Sequence, residues 1–109
     1  RKMDEPWQKG LKQLQQGVDT VGRELRLEGL NWMEKSLTHY QLALQEEPYS
    51  IWVEYACEDL QVIEKFLANI KTQVRSLPND SETRRRLHLL SMELKKVTDE
   101  TIKGSNLDY

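Results

Sequence analysis

The sequence is poor in the residues that cross-link small proteins or interrupt helices. Its 109 residues include one cysteine, three prolines and five glycines, so no disulfide can close within the chain and long helices are permitted. A lone thiol, Cys57, is typical of a reducing compartment and predicts a cytoplasmic protein, including one associated with the cytoskeleton. No apolar run is long enough to span a bilayer, and no signal peptide opens the chain. The sequence therefore predicts no membrane insertion.

The sequence also lacks a strong charge of either sign and the common catalytic motifs. Its formal net charge of −2 gives no field suited to nucleic acid. His39 and His88 are far apart in the chain, and neither has a second ligand at metal spacing. The HExxH, CxxC, GxSxG and glycine-rich phosphate-loop patterns are absent. We therefore expect a protein that is not an enzyme, holds no metal or cofactor and binds no nucleic acid.

What the sequence has is long helical periodicity. Apolar residues alternate at spacings of three and four through two segments, which is the pattern of packed helices. The first series is Val53, Ala56, Leu60, Ile63, Leu67, Ile70, Val74 and Leu77. The second series is Thr83, Leu87, Leu90, Leu94, Val97 and Thr101. These series predict helices over residues 49–77 and 81–104, with Pro78 ending one and Asp80 or Ser81 capping the next.

The middle helix is expected to be packed on both sides. The turn at residues 78–80 is short, so the helices before and after it should lie antiparallel. A further series runs upstream through Leu30, Met33, Leu37, Tyr40 and Leu44. Trp52 and Phe66 flank the middle series and would widen its buried stripe. The patterns predict an antiparallel three-helix coiled-coil bundle in which the middle helix is sandwiched between its two neighbours.

The first helix is harder to define because glycines interrupt its pattern. Another series precedes it: Trp7, Leu11, Leu14, Val18, Val21 and Leu25. Four glycines, Gly10, Gly17, Gly22 and Gly29, weaken this stretch by about 1 kcal/mol each. Residues 6–46 are then either one long helix or two helices broken near Gly29, which would give a four-helix bundle. Residues 30–47 alone are too short to match the middle helix, so we favour one long helix. Residues 1–17 would overhang as a linker helix, residues 18–104 would form the bundle, and residues 105–109 would be a tail.

The junction between the last two helices resembles that of a spectrin repeat. The stretch KTQVRSLPNDSETRRRLHLLSMELKKV has an apolar helix end, a Pro-Asn-Asp turn and a leucine-spaced helix. Trp32 lies near the middle of the proposed first helix, where that family often has a tryptophan. The resemblance covers residues 18–104. It implies a non-enzymatic spacer and docking module, and residues 1–17 would then lead toward a preceding repeat.

Candidate binding residues are those left over from the predicted core. The run TRRRLH is either a site for an anionic partner or a solvated face paired with acids. Four aromatic residues near residue 48, namely Tyr40, Tyr49, Trp52 and Tyr55, are interpreted as a plug of the core or as a binding platform. The candidate protein-binding residues are Trp7, Leu11, Leu14, Arg84, Arg85, Arg86, Leu89 and Met92.

Two functions follow from these patterns. The first is a structural or scaffold module, a spectrin-like spacer and docking domain of a larger intracellular protein. The second is an adaptor or assembly bundle that binds one specific partner helix or dimerises. Both expect protein partners: a neighbouring repeat, another copy of the chain, or a cytoskeletal or scaffold protein. They differ over the N-terminal segment, which a spacer leaves overhanging and an adaptor packs into its own bundle.

Overall fold

The fold is all-helical over the part of the chain that the computed structural model describes, residues 5–47, 51–77 and 80–105. It has helices α1 (Glu5–Asp19), α2 (Arg23–Glu46), α3 (Ile51–Val74) and α4 (Ser81–Ser105), and these ranges contain no strand. The all-α class predicted from the periodicity is confirmed. The predicted helix start at residue 49, Tyr49, Pro78 and residues 106–109 lie outside the described ranges.

The four helices form a bundle built from two antiparallel hairpins. α1 packs most closely on α2, and α3 on α4. Across the hairpins, α2 runs parallel to α4, as the contacts of Arg23 with Glu82 and of Gln41 with Glu93 indicate. The two apolar series of α3 and α4 supply much of the core. The side chains that are at most 3% exposed in these series are Val53, Leu60, Ile63, Leu67, Ile70, Val74, Thr83, Leu87, Leu90, Leu94, Val97 and Thr101.

The prediction of one long first helix is wrong, because the chain turns back at residues 20–22. The Gly22 N–H donates to the Gly17 carbonyl at 2.8 Å, and the Val21 N–H to the Val18 carbonyl at 3.4 Å. These two bonds are those of a Schellman cap, whose central residue is left-handed and is usually glycine. Here that residue is Val21, with φ of 55°, and Gly22 follows it. The four-helix alternative therefore describes the chain, with its break at 20–22 and not near Gly29.

The position of this break gives the second helix enough length to match α3. A break at Gly29 would have left a second helix too short to cover its neighbour. With the break at residues 20–22, α2 and α3 each have 24 residues. Residues 5–17 are consequently part of the bundle and do not overhang it.

Gly29 lies at a close crossing of α1 and α2, where it permits backbone contact. A Cβ atom on Gly29 would lie 2.6 Å from the Gly10 carbonyl oxygen and 2.6 Å from the Leu14 nitrogen. A Cβ on Gly10 would in turn lie 2.7 Å from the Gly29 carbonyl oxygen. Real Cβ atoms do not approach backbone this closely, so each glycine is required for the other helix to fit. Gly10 and Gly29 lower the helix propensity of this stretch, but they also allow α1 and α2 to pack closely.

A buried ion pair ties this hairpin to the second one. The Arg26 Nε lies 2.6 Å from the Asp80 Oδ2, and their side chains are 4% and 1% exposed. Arg26 also donates from Nη1 to the Gly17 carbonyl at 2.9 Å, at the C-terminal turn of α1. Asp80 accepts the Thr83 N–H at 3.4 Å and so caps α4, as one of the two predicted caps. The pair thus connects three helix ends at one end of the bundle.

The environment of Asp80 favours its charged form. Burial by itself raises the pKa of the carboxyl, but hydrogen bonds from Thr83 and the Arg26 guanidinium outweigh it and hold the pKa below its usual value. A carboxyl whose folded pKa lies below its unfolded value contributes stability that is present above the unfolded pKa. That contribution is lost as the pH falls through the folded pKa.

We expect Asp80→Asn to change the pH dependence of stability in one direction. The free energy of unfolding of the parent protein should exceed that of the variant most at about pH 6 to 7, and the difference should shrink below about pH 4. Urea unfolding at a series of pH values measures this difference. A difference that stays constant between pH 7 and pH 2 would show that the Asp80 charge is not what stabilises the fold.

Candidate protein-binding surface

The outer flank of α3 exposes a row of large apolar side chains. Trp52 is 69% exposed, Tyr55 39%, Val62 44% and Phe66 50%. With Asp59 between them, they repeat at spacings of three and four, so they form one continuous stripe, here called the α3 stripe. The expectation that Trp52 and Phe66 widen the buried core is wrong, and so is the interpretation of Trp52 and Tyr55 as a core plug.

The α3 stripe is exposed because the middle helix is not sandwiched along its length. One flank of α3 packs on α4, with Lys71 against His88 and Cys57 beside the Thr98 carbonyl. The opposite flank has only sparse contacts with α1 and α2. α1 has 15 residues against 24 in α3, and its glycines draw it onto α2. The predicted three-helix sandwich is therefore wrong, and its place is taken by a partly open face.

A groove runs between α1 and α3 beside the stripe. It has a volume of about 480 Å³, and its apolar lining comes from Leu11, Phe66 and Ile70. Glutamines and one lysine of α1 line the other wall: Gln8, Lys12, Gln15 and Gln16. The Gln15 Nε2 donates to the Gln73 Oε1 at 3.0 Å, which bridges the two helices near one end of the groove. The result is a mostly apolar channel with two parallel helices as walls.

A smaller aromatic cleft lies at the other end of α1. It has a volume of about 260 Å³ and is lined in part by Trp7, His39, Trp52 and Asp59. Trp7 itself is only 4% exposed and seals the core there. The groove meets the α3 stripe at Phe66, and the cleft meets it at Trp52 and Asp59.

The three N-terminal candidates occupy inward-facing positions of α1. Leu14 is fully buried, Trp7 is nearly so, and Leu11 is half-buried at the edge of the groove. The prediction of Trp7 and Leu14 as contact residues depends on an overhanging helix that would expose them. Since α1 folds back, Leu11 borders the groove, Trp7 lines the aromatic cleft, and Leu14 borders neither.

The three arginines of the basic run do not form one patch. Successive residues on a helix are turned by about 100°, so adjacent side chains point in different directions. Arg86 makes a two-pronged ion pair with Glu34 of α2, with Nη2–Oε1 at 2.7 Å and Nε–Oε2 at 3.1 Å. Arg84 donates to the Leu77 carbonyl at 3.2 Å, on the α3 side. Arg85 is the one that faces outward, where it is exposed.

Leu89 and Met92 share that outward face of α4. They are 50% and 57% exposed. A shallow hollow beside Met92 is rimmed by charged residues of α4, among them Lys95, Asp99 and Lys103. This face has fewer large apolar side chains than the α3 stripe and no second helix as a wall, so it is the weaker candidate surface.

Two buried groups that could in principle react, the Tyr40 hydroxyl and the Cys57 thiol, are held in their neutral forms. The buried Tyr40 hydroxyl lies 2.6 Å from the Thr101 Oγ1, and burial raises the pKa of Tyr40 to about 12. Burial also raises the pKa of the Cys57 thiol to about 11, which disfavours the nucleophilic thiolate. Within the described residues, no cluster of three or more His, Cys, Asp or Glu side chains is arranged to hold a metal ion.

One signal for the α3 stripe was present in the sequence. Positions 52, 55, 59, 62 and 66 repeat with the same spacing as the core series, one residue out of step with Val53 and its successors.

No helix in the described ranges has the length and apolar character needed to cross a membrane. The relationship to spectrin repeats remains a prediction. Comparison of the chain with family models, with curated proteins and with solved structures finds no match in any of the three.

Proposed function

We propose that this chain is a protein-interaction module, an adaptor or assembly bundle that binds an amphipathic helix of a partner protein on its α1–α3 face. The observation that carries the proposal is the α3 stripe beside the groove. Monomeric proteins rarely expose contiguous apolar surface of this kind unless it serves as a contact. The α3 stripe exposes Trp52, Tyr55 and Phe66. Trp and Tyr are residue types that dominate binding energy at interfaces, and Phe is enriched at interfaces as well.

The shape of the face favours a helical partner. α1 and α3 form the two walls of the groove, and the exposed apolar positions of α3 repeat at helical spacing. A partner helix with apolar side chains at i, i+3, i+4 and i+7 would match this spacing. The groove is lined by one cationic side chain, Lys12, and the cleft by one anionic side chain, Asp59, so the partner need not carry a strong net charge.

The spacer function was favoured in the sequence by an overhanging first helix. α1 instead packs into its own bundle and forms one wall of the groove, which is the arrangement expected of an adaptor. The Lys9 Nζ, 4.3 Å from the centre of the Trp32 ring, adds a further contact between α1 and α2. No observation of the described residues therefore favours the spacer function over the adaptor function.

Phe66→Ala tests the proposed surface. Helical peptides are first selected from a display library for binding to the parent protein, and their affinities are then measured by titration calorimetry. We expect the selected peptides to have apolar residues at helical spacing and to lose about 2 kcal/mol, roughly thirtyfold in affinity, on Phe66→Ala. Phe66 is half exposed and borders the groove, so the variant should remain folded with little loss of stability.

Leu89→Ala is the matched control. Leu89 is as exposed as Phe66 but lies on the outward face of α4. Its truncation should leave the affinity of the selected peptides within about twofold of the parent value. Peptides that respond to Leu89→Ala and ignore Phe66→Ala would place the binding surface on α4, and a failure to select any helical peptide would remove the proposal.

A further inference from the structure

The turn between α1 and α2 stores strain in a very short connection. Val21 has φ of 55°, in the left-handed region, where a β-branched residue is strongly disfavoured. Only residues 20–22 separate the two helices. We propose that this turn opens into a continuous helix and that two copies of the chain exchange their α1 helices, forming a domain-swapped dimer.

The apolar pattern continues through the turn as if the helix did not end. In the folded chain Val21 is 61% exposed, although it stands at a regular position of the series that runs from Trp7 to Leu25. In a continuous helix the residue would leave its disfavoured conformation and rejoin the apolar face. Short, strained hinges of this kind favour exchange over closure within one chain.

The exchanged dimer loses little of what holds α1 in place. The crossing of Gly10 with Gly29 and the bridge from Gln15 to Gln73 would form between two chains. The bonds lost are those of the cap itself, chiefly Gly22 N–H to the Gly17 carbonyl, and the continuous helix replaces them with its own. Association of two chains carries an entropic cost, so the dimer is expected to form at high protein concentration.

The exchange is independent of partner binding. Each half of the dimer has the same α1–α3 groove, now with its two walls from different chains. A monomer that binds helical peptides would refute the exchange and leave the proposed function standing. A swapped dimer that binds no helical peptide would refute the proposed function and leave the exchange standing.

Thiol cross-linking between singly labelled chains tests the exchange. In a Cys57→Ala background, which removes the native thiol, one preparation carries Gln15→Cys and the other Gln73→Cys. The two are mixed in denaturant, refolded together at high concentration and treated with a short bismaleimide. These two side chains contact each other at 3.0 Å, so a cross-link between the two different chains requires α1 of one copy to pack on α3 of the other.

A second pair of positions is the control. Arg23→Cys and Glu82→Cys replace residues whose side chains are 2.8 Å apart on α2 and α4, which stay together in one body during the exchange. We expect the 15–73 mixture to give the linked heterodimer and the 23–82 mixture to give at least tenfold less of it. Equal yields from both mixtures, or no link at 15–73, would overturn the proposal.

Two hinge variants give an independent readout by sedimentation velocity. Val21→Gly relieves the left-handed strain of the closed turn, which should shift the equilibrium toward the closed turn by about tenfold at each hinge. The exchanged dimer has two hinges, so the variant should weaken dimerisation by about a hundredfold. Gly22→Ala favours a continuous helix and should strengthen the dimer by about tenfold or more. Neither replacement removes a buried side chain. Identical association by the two variants would refute the role of the turn.

Discussion

Replacement of Arg26 by methionine is expected to reduce the free energy of unfolding by about 3 to 5 kcal/mol. The substitution removes the only guanidinium within reach of Asp80 among the described contacts and leaves its carboxylate buried, with 1% of the side chain exposed. It also removes the donor to the Gly17 carbonyl. A buried charge without its partner is far more costly than the pair, because the carboxylate has already lost its water.

Urea unfolding of two variants on the same helix measures this effect. Arg23→Met removes a 2.8 Å ion pair with Glu82, but those side chains are 57% and 43% exposed, so its effect should stay below about 1 kcal/mol. Adding Asp80→Asn to Arg26→Met should recover more than half of the lost stability, because the amide is neutral and still accepts the Thr83 N–H. Equal effects of Arg26→Met and Arg23→Met would mean that Arg26 is not buried against Asp80.

The second hairpin could be predicted closely because nothing interrupts its pattern. The residues of the series from Val53 to Val74 and from Thr83 to Thr101 are buried in α3 and α4, apart from Ala56, which is half-buried. Cys57 and Thr98 are the further buried positions of these two helices among the described residues. A turn of a few residues between two such series leaves the chain no arrangement other than an antiparallel pair. The cap by Asp80 could be predicted too, because a short acidic side chain just before a helix accepts a free backbone N–H.

The first hairpin could not be predicted because its turn has no sequence signal. A Schellman cap normally has glycine in the left-handed position, but here Val21 occupies it and the glycine comes one residue later. The apolar spacing also runs unbroken across the turn. Gly29, the residue that looked most like a break, lies within α2 at a helix crossing. A glycine that ends a helix and one that admits a neighbouring backbone are identical in sequence.

The exposure of the α3 stripe could not be predicted for a related reason. α3 has two apolar series one residue apart, and spacing alone does not tell which one is covered. That depends on the length and position of α1, which depend in turn on where the first hairpin turns. Once α1 ends at Asp19 and is drawn toward α2 by its glycines, the series through Trp52 and Phe66 is left at the surface. The exposure of the α3 stripe thus depends on the turn at residues 20–22, which the apolar pattern does not indicate.

Gly29→Ala is expected to destabilise the protein by about 2 to 3 kcal/mol, although alanine is the better helix former. In an open helix the change should stabilise by up to about 1 kcal/mol. Here the new methyl group would lie 2.6 Å from the Gly10 carbonyl oxygen and 2.6 Å from the Leu14 nitrogen. Both are backbone atoms that cannot rotate away, so α1 must move off α2 and the packing of Leu14 is lost.

Urea unfolding at low protein concentration separates the two effects. Gly22→Ala is the control, because its new Cβ would approach only the Thr20 Oγ1 as closely as 3.2 Å, and we expect a change within about 0.5 kcal/mol. Gly10→Ala should have an effect similar to Gly29→Ala, and the double variant should lose less than the sum, since one separation of the helices relieves both contacts. A stabilising Gly29→Ala would mean that α1 does not cross α2 at this point. The groove would then lack one wall, and α1 would be free to continue as the long helix that the apolar pattern favours.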